Sequence, residues 1–137
     1  MPILFDTSFL LAVSWPQDSK HTLARSAMQS IRTGRVIAAP MLPELFYMLA
    51  TRTDYQTAVS VFEALQSAAF QIEPLMASDM ARMAEIMNQY ADNRFDYVDT
   101  ALMALSERLN ITEVYTFDRR DFSAFRPIHT IALRLLP

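Results

Sequence analysis

Short apolar runs alternate along this chain with longer stretches in which apolar residues recur every three or four positions. Pro2-Ile3-Leu4-Phe5 stops at the polar triplet Asp6-Thr7-Ser8 before Phe9 to Val13 resumes, which predicts a buried strand, a turn and a helix. Leu23, Ala24, Ala27, Met28 and Ile31 mark a helix within residues 19–33, with Gly34 expected to end it. Arg35 to Ala39 reads as a second strand, Pro43 as the first position of a helix through Leu49, and residues 54–67 as a further helix. Phe70 to Pro74 gives a third strand and residues 77–90 a helix. Residues 96–109 form a strongly periodic helix with Val98, Ala101, Leu102, Ala104 and Leu105 on its apolar side. Val114 to Phe117 is the fourth strand candidate and Ile128 to Ile131 the fifth.

Strands alternating with helices throughout imply an α/β fold: a mostly parallel central sheet with helices on both faces, in three layers. Without repeats or long linkers, residues 1–137 are expected to form a single domain. Sites in such folds lie beyond the carboxyl ends of the strands. Asp6 and Asp118 each follow a strand and Glu44 follows the second after a short loop, so the three are expected at one end of the sheet.

Composition narrows the chemistry. With 52% hydrophobic and 20% charged residues the chain is not disordered, and with no Cys a metal has to be held by oxygen ligands or by His21 and His129. Neither histidine is assigned a role. A net charge of -3 means that no whole-molecule field draws the chain onto nucleic acid, so any such contact is local. Lys20 stands alone against eleven arginines, the side chain suited to bidentate grip on phosphate. No apolar run approaches the roughly 18 residues of a membrane span, and the chain reads as soluble and cytoplasmic.

Each carboxylate also has a capping role open to it: Asp6, Asp96 and Asp118 precede helices or turns, and Glu44 and Asp99 fall in first turns, where negative charge suits the dipole. Convergent carboxylates repel one another unless protonated or neutralised, so a cluster predicts raised pKa values or a bound cation. Hard oxygen ligands select Mg²⁺ or Mn²⁺, whose water can be activated for attack on a phosphodiester. Thr7 and Ser8 either hydrogen-bond this machinery or simply start a helix. Arg94, Arg119 and Arg120, with Arg126 nearby, either hold RNA phosphates or are solvated surface. Trp15, Phe46, Tyr47, Met48, Phe62, Met80, Met83, Met87 and Tyr90 belong mostly to the core, although helices around residues 44–65 have the composition of an exposed apolar face.

Four segments together resemble the acidic motifs of PIN domains: Asp6-Thr-Ser-Phe-Leu-Leu, Pro43-Glu44-Leu-Phe-Tyr, Val98-Asp99-Thr-Ala-Leu-Met-Ala-Leu-Ser-Glu-Arg-Leu, and Val114-Tyr-Thr-Phe-Asp118-Arg-Arg-Asp-Phe. They occur in order between Ile3 and Ile131 and most resemble the VapC-type toxins of bacterial toxin–antitoxin pairs. The resemblance implies an α/β/α PIN-like fold and a Mg²⁺- or Mn²⁺-dependent endoribonuclease. It makes Asp6, Glu44, Asp99 and Asp118 the catalytic set, with Asp6, Asp99 and Asp118 on the metal and Ser8 in support. It also implies an RNA substrate, a cognate antitoxin whose tail fills an apolar groove, and a homodimer. Asp96 is either a further ligand or a cap, the cap being favoured. Asn110 stands where glycine usually ends the helix, and Ser106 replaces a usual alanine. The alternative is a catalytically silent PIN-like module binding RNA or protein, against which the complete acidic set argues. A receiver domain needs a lysine near the last strands, and a haloacid-dehalogenase-like site needs a second aspartate where Ser8 stands.

Overall fold

A computed structural model describes residues 1–137. Its elements run β1 (Ile3–Phe5), α1 (Thr7–Ser14), α2 (His21–Ser30), β2 (Arg35–Ala38), a 3-10 turn (Ala39–Met41), α3 (Leu42–Arg52), α4 (Tyr55–Leu65) and β3 (Phe70–Glu73). The second half continues with α5 (Ala77–Gln89), α6 (Tyr97–Arg108), β4 (Glu113–Tyr115), α7 (Arg119–Ala124) and β5 (Arg134–Leu136). The five strands are all parallel, in the order β3-β2-β1-β4-β5. From β1 the chain winds outward through β2 to β3, then crosses back to β4 and β5. Right-handed crossovers therefore put α1–α4 on one face and α5–α7 on the other, and the winding reverses between β1 and β4.

The central strands are buried on both faces, and Leu4, Phe5, Ile37 and Val114 are almost wholly excluded from solvent. Phe5 stacks on Phe9 at 5.4 Å between ring centroids, and Phe9 meets Tyr115 at 5.1 Å and Phe117 at 5.8 Å. This aromatic column binds α1 to the ends of β1 and β4. Each buried phenylalanine contributes about 1.5–3 kcal/mol of transfer free energy. On the other face α5 packs on α6 through Met83, Ala101 and Ala104. Ion pairs close that seam from Arg82 to Glu107 (2.7 Å) and from Arg108 to Asp79 (2.9 Å) and Glu73 (3.1 Å).

Two expectations fail. Gly34 does not end α2, which stops at Ser30 with Ile31 as C-cap. Gly34 has no positive φ, and the Arg35 guanidinium instead reaches back to the carbonyls of Met28 (3.4 Å) and Ile31 (3.3 Å). The fifth strand is Arg134–Leu136, not residues 128–131. Side chains hold the intervening segment: the Arg126 N–H donates to the Tyr90 hydroxyl, the Ile128 N–H to Glu107, and a His129 ring nitrogen pairs with the Ile111 carbonyl. Ile128 and Ile131 lie exposed, whereas Leu133 is buried and Leu135 packs on the core beside β4.

Candidate active site

Each acidic residue reaches the same end of the sheet by a different route. Asp6 follows β1 and caps α1, accepting the Phe9 N–H at 3.0 Å. Glu44 lies in the first turn of α3, entered from β2 through the 3-10 turn. Asp96 caps α6 by accepting the Asp99 N–H at 2.8 Å, which sets Asp99 in that helix's first turn. Asp118 precedes α7 without making a capping bond. Capping and clustering are thus not rivals here, because Asp6 and Asp96 do both.

All five carboxylates line one pocket of about 280 Å³ with Thr7, Ser8 and Asp18. Asp6 and Asp99 form its buried inner pair, while Glu44, Asp96 and Asp118 are exposed at the rim. Ser8 donates to Asp6 at 2.7 Å, and the wholly buried Thr116 hydroxyl donates to the other Asp6 oxygen. Thr116 also accepts the Asp118 N–H at 2.9 Å, and Ser8 accepts the Phe117 N–H at 2.9 Å. These two hydroxyls tie the end of β1 to the segment after β4, holding Asp6 and Asp118 in register.

The electrostatics follow burial. Desolvation pushes Asp99 up to about 8, reinforced by the negative charges of Asp96, Asp6, Asp118 and Asp121. Asp6 is pushed up to about 6, again by burial first, and the bonds from Thr116, Ser8 and Phe9 hold it below that of Asp99. Lys20 and Arg52 also line the pocket, yet neither forms an ion pair. Donors that are all oxygen, an Asp6–Asp99 pair whose burial and neighbouring negative charges raise its pKa values, and a buried, unpartnered Thr7 hydroxyl on the wall suit a hard divalent cation. No three of the carboxylates close on a common point as a complete ligand shell. Such an arrangement matches an ion that keeps much of its water and takes one or two carboxylates directly.

Sequence reasoning missed several residues that the structure brings in. Thr116 reads as an ordinary β-branched strand residue, and Asp18 and Lys20 lie in a polar loop without periodicity. Arg52 did have a signal: Glu44, Met48 and Arg52 are spaced i, i+4, i+8 on one face of α3, and all three line the pocket. Arg94, Arg119 and Arg120 lie outside its lining. Arg119 donates to the Pro137 carbonyl at 2.6 Å, and Arg120 stands in solvent beside Asp121. His21 and His129 make backbone contacts, to the carbonyls of Ala12 and Ile111.

Comparison with known proteins converges on one family. The PIN domain family model matches residues 3–126. Ribonuclease VapC26 of Mycobacterium tuberculosis is 30% identical over 126 residues, covering 92% of this chain and 93% of its own. The crystal structure of M. tuberculosis VapC20, described as a Sarcin-Ricin loop cleaving toxin, superposes with a TM-score of 0.84 at 23% identity, covering 93% of this chain and 98% of its own. VapBC2 from Rickettsia felis, bound to a DNA fragment from its promoter, gives 0.70 at 14% identity, covering 98% and 97%. The two structures share the fold. With the family match and the VapC26 identity both spanning nearly the whole length, the chain belongs to the PIN-domain family and to its VapC-type members.

Proposed function

We propose that the protein is a divalent-metal-dependent endoribonuclease and the toxin of a toxin–antitoxin pair. The observation that carries this reading is the buried Asp6–Asp99 pair, rimmed by Glu44, Asp96 and Asp118 and short of positive charge. Asp6, Asp99 and Asp118 are the residues that hold the cation, Mg²⁺ or Mn²⁺, and Glu44 completes the catalytic set. When bound, the ion supplies Lewis acidity toward a phosphodiester and lowers the pKa of water. The protein's own part is positioning. Ser8 and Thr116 fix the Asp6 carboxylate, and Asp96 anchors the turn that presents Asp99. Ribonuclease activity is supported by the relation to VapC26, and the expectation of an antitoxin by the toxin–antitoxin assemblies that share the fold.

An exposed apolar face supports the partner reading. Tyr47, Tyr55 and Phe62 are 69%, 68% and 46% exposed, and with Leu42, Pro43 and Phe46 they line a concavity of about 660 Å³ between α3 and α4. A homodimer and an antitoxin tail are the occupants proposed for this region.

Cleavage of single-stranded RNA tests the catalytic reading. Asp99→Asn preserves shape and removes a negative charge, so it is expected to abolish Mn²⁺-dependent cleavage while circular dichroism shows a folded protein. Asp96→Asn retains most activity because asparagine caps as well as aspartate. Cleavage that survives EDTA, or a folded Asp99→Asn protein with the wild-type rate, contradicts the mechanism.

A further inference from the structure

The loop between α1 and α2 divides two pockets. Asp18 and Lys20 face the acidic pocket, whereas Trp15, Pro16 and Gln17 line a second, polar pocket of about 440 Å³ with Thr53, Asp54 and Thr57. Arg52 lines both pockets, standing in the last turn of α3 on the same face as Glu44. It is exposed and joins none of the ion pairs, so its guanidinium is free to bind an anion between the two sites.

We propose that the Trp15–Gln17–Thr57 pocket is a subsite for one unstacked nucleotide of single-stranded RNA, with Arg52 gripping the phosphate that links it to the nucleotide in the acidic pocket. The inference rests on the ribonuclease reading and adds to it a place and a chemistry for the flanking base. Trp15, half-buried and anchored on the core, offers an aromatic surface whose orientation is already paid for by packing. Gln17 carries both a donor and an acceptor, and Asp54, whose Oδ1 caps α4 by accepting the Thr57 N–H at 2.7 Å, leaves Oδ2 for an exocyclic amino group of the base edge. The polarity of the lining suits a nucleotide better than an apolar peptide side chain, and the α3–α4 face is a separate apolar surface. A base in this pocket has to leave its stack, so the subsite selects single strands or loops over continuous duplex.

Trp15 is the chain's only tryptophan, so its emission reports directly on the subsite. The test uses the full-length Asp99→Asn protein with Mg²⁺, titrated with a short mixed-sequence single-stranded oligoribonucleotide. Saturable quenching of Trp15 is expected, with none from a blunt duplex of the same composition. By anisotropy of a labelled oligonucleotide, Arg52→Gln is expected to weaken binding about tenfold or more. Trp15→Leu weakens it by about tenfold, and Trp15→Phe by less. Arg52 is exposed, and the quenching needs no change at Trp15, so the test does not depend on a core substitution folding. Single-strand binding that leaves Trp15 emission unchanged and is indifferent to Arg52→Gln overturns the subsite while leaving the ribonuclease reading intact. Absence of both binding by the variant and cleavage by the wild type overturns the ribonuclease reading, and the subsite with it.

Discussion

Asp6 accepts three hydrogen bonds and still holds its proton more tightly than a free aspartate. Desolvation outweighs the donors there, and at Asp99, with four negative neighbours, it acts with less opposition. Both acids bind protons more strongly folded than unfolded. In the metal-free protein their favourable contribution is therefore fully present below about pH 4 and fades as pH rises through about 6 for Asp6 and about 8 for Asp99. Thermal unfolding in EDTA is expected to show Tm falling between pH 5 and 8.5. Asp99→Asn is expected to remove most of that fall, raising Tm at pH 8 by about 4 °C or more and changing little at pH 4. A flat profile in the wild type contradicts the buried-pair account. The acidic residues were legible because four ordered motifs put them after strands or in first helical turns at the site-bearing end of a parallel sheet, although each position also suits a cap. Thr116 was not, because a threonine in a strand is already explained by its β-propensity. Asp18 and Lys20 emerge only once their loop is brought against α3 in space, whereas Arg52 shares a helical face with Glu44.

At the scale of elements, the alternation of strands and helices was legible because the central strands are buried on both faces and the helices on one. What misled was punctuation. Gly34 follows α2 closely enough to pass for its cap, but Arg35 supplies the closing hydrogen bonds from the next strand. Ile128 and Ile131 look like a strand because they are apolar, whereas the chain there is held by side-chain anchors from Tyr90, Glu107 and His129 that no local pattern announces. Asn110 is the opposite case. It takes φ 53° after α6, with its N–H on the Glu107 carbonyl at 3.2 Å and the Ile111 N–H on the Ser106 carbonyl at 2.8 Å, a Schellman closure achieved without glycine. Asn110→Ala is expected to cost about 1 kcal/mol and Asn110→Gly to be neutral or better, both read as shifts in urea midpoint. Equal stability of the alanine variant and the wild type would show that this end of α6 is not held in the left-handed conformation.

For the molecule as a whole, the net charge of -3 sets the terms on which the proposed RNA substrate would be bound. Attraction has to be local, through Lys20 and Arg52 and through neutralisation of the carboxylates by a cation. The exposed Tyr47, Tyr55 and Phe62 mark the other region of unfinished chemistry. A dimer at micromolar concentration is expected in sedimentation velocity, weakened at least tenfold by Tyr47→Arg; a wild-type protein that is monomeric throughout that range contradicts the dimer proposal.

The central claim, that the pocket end formed by Asp6, Asp99 and Asp118 takes a divalent cation, predicts a coupling that calorimetry measures directly. Metal can bind only as the protons leave, and at pH 7 the positions of Asp99 near 8 and Asp6 near 6 leave about one proton to be displaced. Titrating Mn²⁺ into the metal-free protein in buffers of different ionisation enthalpy counts that proton. The account predicts release of about one per ion at pH 7, declining toward zero by pH 9, and loss of the release in Asp99→Asn. Absence of binding, or binding at pH 7 with no proton release, would contradict it.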